Sequence, residues 1–449
     1  MKFTSIATVL STLIVGAAFA TNNKTYYDLN KIKEETQWKE VKVVENAPFH
    51  LSVISQGYYN NTVNGHYDKN YYYPASAGEG VDVYMFDMGF DFTNKEFEDV
   101  EAHIDLAVSH GNVTIPENDK VYYASYIADH GTLTAAVVTG KYCGVAKKAN
   151  IHGIRLSQGE DEDQFTNIKV TLEYIRDHVP LTSHKTIFNF AYGDYCTIEK
   201  FENDTTIREI QNIINELTEK GVIVVSVAGN NGDQAYDVDI NKVSVPCVLD
   251  NVICVGGVVN YDSPLLAKDE IDPSFYTLGK YDNKLRNVYS NYGRGVDIYA
   301  SFAAHYRGNI LSDYVTTAVF DINPADYDFE KVEDGYYIKN IDKYFPGTSV
   351  ASPAVVGVAA NLISEHPEIK FTHDSMLDLL IELGEKDIIE GIPDGYPNVF
   401  LNNGKKIIFD ASSMPEVEAP SISSSDEEQE ITDIGNDIDS DSDSDSDQE

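Results

Sequence analysis

Basic residues are scarce in this chain. Lys and Arg number 33 against 73 Asp and Glu, a formal net charge of −40 at pH 7. Residues 416–449 hold 14 of the acidic residues and no basic one, which leaves 33 basic against 59 acidic, still −26, for the remainder. So acidic a body excludes nucleic acid and anionic membrane surfaces as partners. Long apolar runs are scarce too. The run at 6–19 follows Lys2 and ends in Ala18-Phe19-Ala20, a small-residue cleavage pattern, so residues 1–20 read as a secretory signal peptide. No other stretch has the profile of a membrane span. The four cysteines, Cys143, Cys196, Cys247 and Cys254, have the wrong spacing for zinc and no histidine close by. In a secreted chain an even count permits two disulfides in three pairings. Cys247 and Cys254 flank six residues and are placed to close a short loop, which leaves Cys143 with Cys196.

What is present is concentrated around one serine. Ser349 lies in Gly347-Thr348-Ser349-Val350-Ala351-Ser352-Pro353, followed by small and apolar residues on nearly all sides as far as Ile363. That pattern predicts a helix buried in a large core, with Pro353 in its first turn and a stop near Pro367. A serine at the positive end of such a helix suits a nucleophile. It needs a base, and the base needs an orienting group. His130 heads His130-Gly131-Thr132 and a helical stretch at 133–138. Asp87 closes the short apolar strand Val81-Asp82-Val83-Tyr84-Met85-Phe86-Asp87, which puts a carboxylate at the rim of an open sheet. Asn230, in the turn Gly229-Asn230-Asn231-Gly232 after an apolar strand, offers a side-chain amide to an oxyanion.

Apolar strand-like runs at 81–86, 150–156, 186–191, 222–228 and 252–258 alternate with amphipathic helices. One carries Ile207, Ile210, Ile213, Ile214 and Leu217, and another follows Thr372. The alternation predicts an α/β fold with a doubly wound, mainly parallel sheet and helices on both faces.

The order Asp87, His130, Asn230, Ser349, each in its own motif, resembles the subtilisin-like serine proteases, and the secreted fungal branch that includes proteinase K in particular. Cys143-Gly144-Val145-Ala146, Asn189-Phe190-Ala191-Tyr192-Gly193 and Ser290-Asn291-Tyr292-Gly293 resemble further segments of that family, and the similarity runs from about 47 to about 385. The resemblance implies a secreted serine endopeptidase acting on protein or peptide substrates, with Asp87, His130 and Ser349 as triad and Asn230 as oxyanion donor. It implies a first specificity pocket walled by Phe190, Ala191, Tyr192, Gly193, Ala228 and Gly229, taking apolar or aromatic residues, with Tyr192 narrowing or polarising it. No cofactor is required. Asp297 matches a family aspartate that joins a weak calcium site, so structural calcium is a candidate there. A monomer is expected, extracellular or in the cell wall.

The chain departs from the family at several places. Met88 stands where a serine or threonine hydroxyl helps hold the triad carboxylate. Leu133 replaces a histidine, Ala136 a glycine, Val350 a methionine, and Ser301-Phe302 a Pro-Gly. These departures motivate a second reading, an impaired protease-like fold kept as an extracellular or wall-binding protein.

The organisation along the chain is then a signal peptide at 1–20, a short polar segment at 21–46, and a catalytic domain at 47–410. Insertions rich in Asp, Tyr and Lys lie near 263–287 and 313–345, the second placed to rim the cleft, and an acidic low-complexity tail fills 411–449. The segment 21–46, with the single tryptophan Trp38, is too short for a propeptide domain with its own core. Sequons at Asn23, Asn60, Asn112 and Asn203 fit a glycosylated secretory product.

Overall fold

The structure, a computed structural model, describes residues 27–57, 70–122, 130–158, 161–259, 276–278, 290–308, 329–332, 335–338 and 341–409. The signal peptide, the acidic tail, the sequons at Asn23 and Asn60, and most of both insertions lie outside the described residues.

Seven parallel strands form the centre of the molecule: β1 (Asp82–Asp87), β2 (Ala102–Ser109), β3 (Asn150–Leu156), β4 (Thr186–Phe190), β5 (Val222–Val227), β6 (Val252–Val259) and β7 (Ile298–Ser301). Their spatial order is 2-3-1-4-5-6-7, with short antiparallel strands at both margins. After β1 the chain fills one side of it with β2 and β3, then crosses to the other side for β4. The order therefore reverses at β1, where an open parallel sheet leaves a crevice beyond its carboxyl ends. Asp87 is the last residue of that strand.

Period-two alternation sorts the strand side chains between two cores. Val83, Met85, Ile187, Ile223 and Val225 face one side, while Tyr84, Phe86, Phe188, Phe190 and Val224 face the other. Helices α1 (His130–Thr139) and α4 (Thr348–Glu365) cover the first face, with α5 (His373–Leu383) beside them. Helices α2 (Gln164–His178) and α3 (Thr205–Glu219) cover the second. In α3 the five predicted positions Ile207, Ile210, Ile213, Ile214 and Leu217 are all buried. Each contributes about 1.5–3 kcal/mol when fully withdrawn from water.

α4 is buried along nearly its whole length, as its composition predicts. It starts earlier relative to its proline than expected. Thr348 is the first helical residue, so Pro353 stands in the second turn and not the first. A proline there has no N–H for the Ser349 carbonyl four residues back, and the helix forgoes that bond. Thr372 caps α5 with a reciprocal bond to Ser375, as its position predicts.

The boundary drawn at residue 47 is not a structural break. A helix at Leu29–Thr36 leads to a strand at Val41–Val44 that pairs with Tyr71–Pro74. Ile32, Trp38 and Val41 are buried against Tyr72 and Phe409 in a third small core. A polar average concealed three inward-facing apolar residues. The strands Ala303–Gly308 and Ile341–Pro346 pair antiparallel immediately before Gly347.

Cys247 and Cys254 form a disulfide, as their spacing suggested, with Cα atoms 4.8 Å apart. The remaining pair does not form. Cys143 is buried in the core under α1 and α4, Cys196 in the core on the other face, and the sheet stands between them. Alkylation of the denatured, unreduced protein is therefore expected to modify Cys143 and Cys196 and to spare Cys247 and Cys254. A peptide map showing a Cys143–Cys196 crosslink would overturn this arrangement.

Candidate active site

Asp87 has no exposed surface, and a carboxylate in that position must be compensated by donors. Three reach it. Its Oδ1 accepts from Met88 N at 2.7 Å and stands 2.7 Å from His130 Nδ1; its Oδ2 accepts from Thr134 Oγ1 at 2.8 Å. His130 is 8% exposed. Its motif has a task for each residue. Gly131 passes so close to the Gly89 carbonyl and the Phe90 ring that a Cβ would collide with both. Thr132 Oγ1 accepts from Asp91 N at 2.9 Å and ties α1 to the loop that follows β1. Arg155, at the end of β3, donates to the Met88 carbonyl at 3.3 Å and holds the same loop from the other side.

Asn230 follows β5, so it lies at the same carboxyl edge of the parallel sheet as Asp87. Its Oδ1 accepts from Thr348 N at 2.9 Å and from Thr348 Oγ1 at 3.0 Å. That bonding fixes which way the amide faces and leaves Nδ2 pointing outward as a donor. Gly347, at φ +149, borders the space in front of it. A Cβ on Gly347 would stand 2.9 Å from Ser349 Oγ and 3.5 Å from Asn230 Nδ2. The hydroxyl and the amide thus face one small volume that only a glycine leaves open. Ser349 is 6% exposed. The loop carrying Asn230 is itself held by Asn291, whose Oδ1 accepts from Asn231 N at 3.0 Å and whose Nδ2 donates to the Ala228 carbonyl at 2.9 Å.

The four residues picked out in the sequence therefore share one edge of the sheet. Three helpers were not assigned a role: Thr134, Thr348 and Asn291. Thr134 had a readable signal, since it lies four residues after His130 and so one helical turn away on the same face. Thr348, at the start of α4, and Asn291 reach Asn230 and its turn only through tertiary folding, and no local spacing announces them.

The expected pocket walls divide between the two faces of the sheet. Phe190 is fully buried and stacks on Phe86, with ring centroids 4.2 Å apart. Tyr192 packs in the same core, and its hydroxyl donates to Gln164 Oε1 on α2 at 2.9 Å. Burial first, then the nearby Asp87 charge, holds the Tyr192 phenol well above its ordinary range. Period-two alternation directs the Tyr192 side chain to the α2 face. Ala191 and Ala228 are buried on the opposite face, and Gly193 and Gly229 are half-buried. The departures from the expected motifs are absorbed by packing. Leu133, Ala136 and Val350 are buried in the core shared by α1 and α4, and Phe302 fills the space over Gly257 while accepting Gly347 N on its carbonyl at 2.7 Å.

The Subtilase family profile matches residues 78–387. A subtilisin-like protease of Coccidioides posadasii is 25% identical over 84% of this chain and 64% of its own length. The subtilisin-like serine protease Pen c 2 of Penicillium citrinum is 24% identical over 84% of this chain and 69% of its own. The chain thus spans about two thirds of the length of these relatives. Among solved structures, a cold-adapted subtilisin-like serine proteinase superposes with a TM-score of 0.51, at 22% identity, covering 80% of this chain and 98% of that one.

Asp297 accepts from Cys254 N at 2.8 Å, and burial pushes its carboxyl up to about 6 against the lowering effect of that bond. Among the described residues no three His, Cys, Asp or Glu side chains are grouped to hold a metal ion. A carboxyl raised above its unfolded value near 4 opposes folding once it ionises. The cost is absent below about pH 4, grows up to about pH 6 and persists above it. Asp297→Asn keeps an acceptor for Cys254 N and is expected to stabilise the protein by about 3 kcal/mol at pH 7.5, with no gain near pH 4. Urea unfolding at the two pH values reads this directly. A variant less stable at pH 7.5, with the parent alone responding to calcium, would establish Asp297 as a calcium ligand instead.

Proposed function

Because this chain belongs to the subtilase family, we propose that it is a serine endopeptidase in which Asp87, His130 and Ser349 form the triad and Asn230 holds the oxyanion. The observation that carries the reading is the buried Asp87–His130 bond at 2.7 Å, at the sheet edge where Ser349 Oγ and Asn230 Nδ2 border one volume. The chemistry follows from these groups. With its Nδ1 proton held by Asp87, His130 presents Nε2 as a base and accepts the Ser349 proton as Oγ attacks a peptide carbonyl. The oxyanion lies against Asn230 Nδ2 and the Ser349 N–H, at the positive end of α4. His130 passes its proton to the leaving amine, and water then hydrolyses the acyl-enzyme by the same route in reverse.

The substrates are peptide bonds of proteins or peptides, and the reaction calls for no cofactor. Backbone at 191–193 and 228–229 supplies the walls for the first substrate side chain. A secreted monomer, extracellular or in the cell wall, fits the pattern of residues 1–20 and the exposed sequon asparagines Asn112 and Asn203. No described helix is long and apolar enough to cross a membrane.

A fluorophosphonate probe tests the reading. The parent protein should label, and Ser349→Ala and His130→Ala should not. Asn230→Ala should lower kcat by about 10²–10³, a magnitude known from subtilisin itself. A folded parent that takes no label would leave a protease-like fold kept for binding.

A further inference from the structure

The Thr134 hydroxyl is set where the chain lacks one. Met88, next to Asp87, brings only its backbone N–H to the carboxylate, and that bond goes to Oδ1, the oxygen that also faces His130. Among the described residues the one donor to Oδ2 is Thr134 Oγ1, at 2.8 Å. Both residues are fully buried, so water does not reach Oδ2 in its place. The Thr134 hydroxyl also stands 3.1 Å from the Gly131 carbonyl, but it has a single proton. The shorter, charge-assisted contact to the carboxylate is the stronger one.

We propose that Thr134 is the positioning residue of the triad, taking over from α1 the role that a hydroxyl at position 88 would fill. The proposal rests on the functional reading above. Thr134 touches no substrate. It acts by holding the Asp87 carboxylate in the plane in which Oδ1 meets His130 Nδ1. A carboxylate bound only through Oδ1 pivots about that oxygen, and the imidazole it orients turns with it. Oδ2 would also be left buried with no donor among the described residues, a cost that grows with the charge. Asp87 and Thr134 sit on different elements, the end of β1 and the second turn of α1. The bond therefore also sets the spacing between strand and helix.

The test is a set of variants assayed with a peptide substrate. Thr134→Val keeps the shape and removes the donor. It is expected to lower kcat by about 10- to 100-fold, the loss of one hydrogen bond to a buried charge, with KM little changed. Thr134→Ser restores the hydroxyl and should recover most of the rate. Met88→Ser in the Thr134→Val background supplies the donor from the neighbouring position and should also recover activity. Circular dichroism and urea unfolding show whether each variant is folded. Full activity in folded Thr134→Val overturns the proposal, as does a loss that Thr134→Ser does not repair. Failure of the underlying reading looks different, since Ser349→Ala and Asp87→Ala would then retain the activity of the parent.

Discussion

A carboxylate sealed from water constrains much of this molecule. Burying Asp87 costs several kcal/mol unless donors surround it, and a charge left short of partners would unfold the site before it served it. The donors come from three places: the next residue, the histidine that opens α1, and the threonine one turn into that helix. Each must arrive in register, so the end of β1 and the start of α1 are locked to each other. Gly131 permits the close approach, Thr132 ties the helix to the loop after β1, and Arg155 holds that loop from β3. The reversal of strand order at β1 gives the carboxylate its place at the edge where an open sheet has room for a ligand.

The second constraint is α4. Its first turn carries Ser349 and its last residue, Glu365, is 3% exposed. Glu365 accepts from Lys39 N at 2.6 Å and from Ser76 Oγ at 2.8 Å, so the far end of the helix that carries Ser349 is tied to the N-terminal segment. Residues 401–409 join the same corner. Lys405 is fully buried, with its ammonium 2.9 Å from Gln56 Oε1 and over the Tyr72 ring. Asn402 and Asn403 bond the carbonyls of Gln56 and Tyr72. Residues near 30–57 and 401–409 thus clamp the back of the helix that presents the serine at the front.

Legibility in the sequence followed locality. The strands at 82–87, 150–156, 186–190, 222–227 and 252–259 showed as apolar runs because both of their faces are buried. β2 did not, since His103 and Asp105 interrupt its apolar pattern and a bulge between Ile104 and Leu106 shifts its register. Asp87, His130, Asn230 and Ser349 stood out because each sits in a short motif, and in those of His130 and Ser349 a glycine answers a steric need at the same point. The Tyr192 orientation and the packed N-terminal segment did not. One depends on which face of the sheet a residue past the strand end falls, the other on a partner strand some 30 residues away. Composition averages over such facts, and Ile32, Trp38 and Val41 disappear in a segment that is polar on the whole.

Position 88 shows why reading a motif residue by residue misjudges a site. A missing hydroxyl beside the carboxylate looks like damage if function belongs to the position. The carboxylate, however, requires a donor at a point in space, and several backbone positions can bring one there. A residue four places beyond the histidine lies on the histidine's own helical face, so the geometry that delivers the imidazole to Oδ1 also delivers a side chain to Oδ2. A threonine at that point brings its hydroxyl within 2.8 Å of Oδ2. The contacts around Asp87 therefore describe a carboxylate supported at one oxygen from the strand end and the histidine, and at the other from the helix.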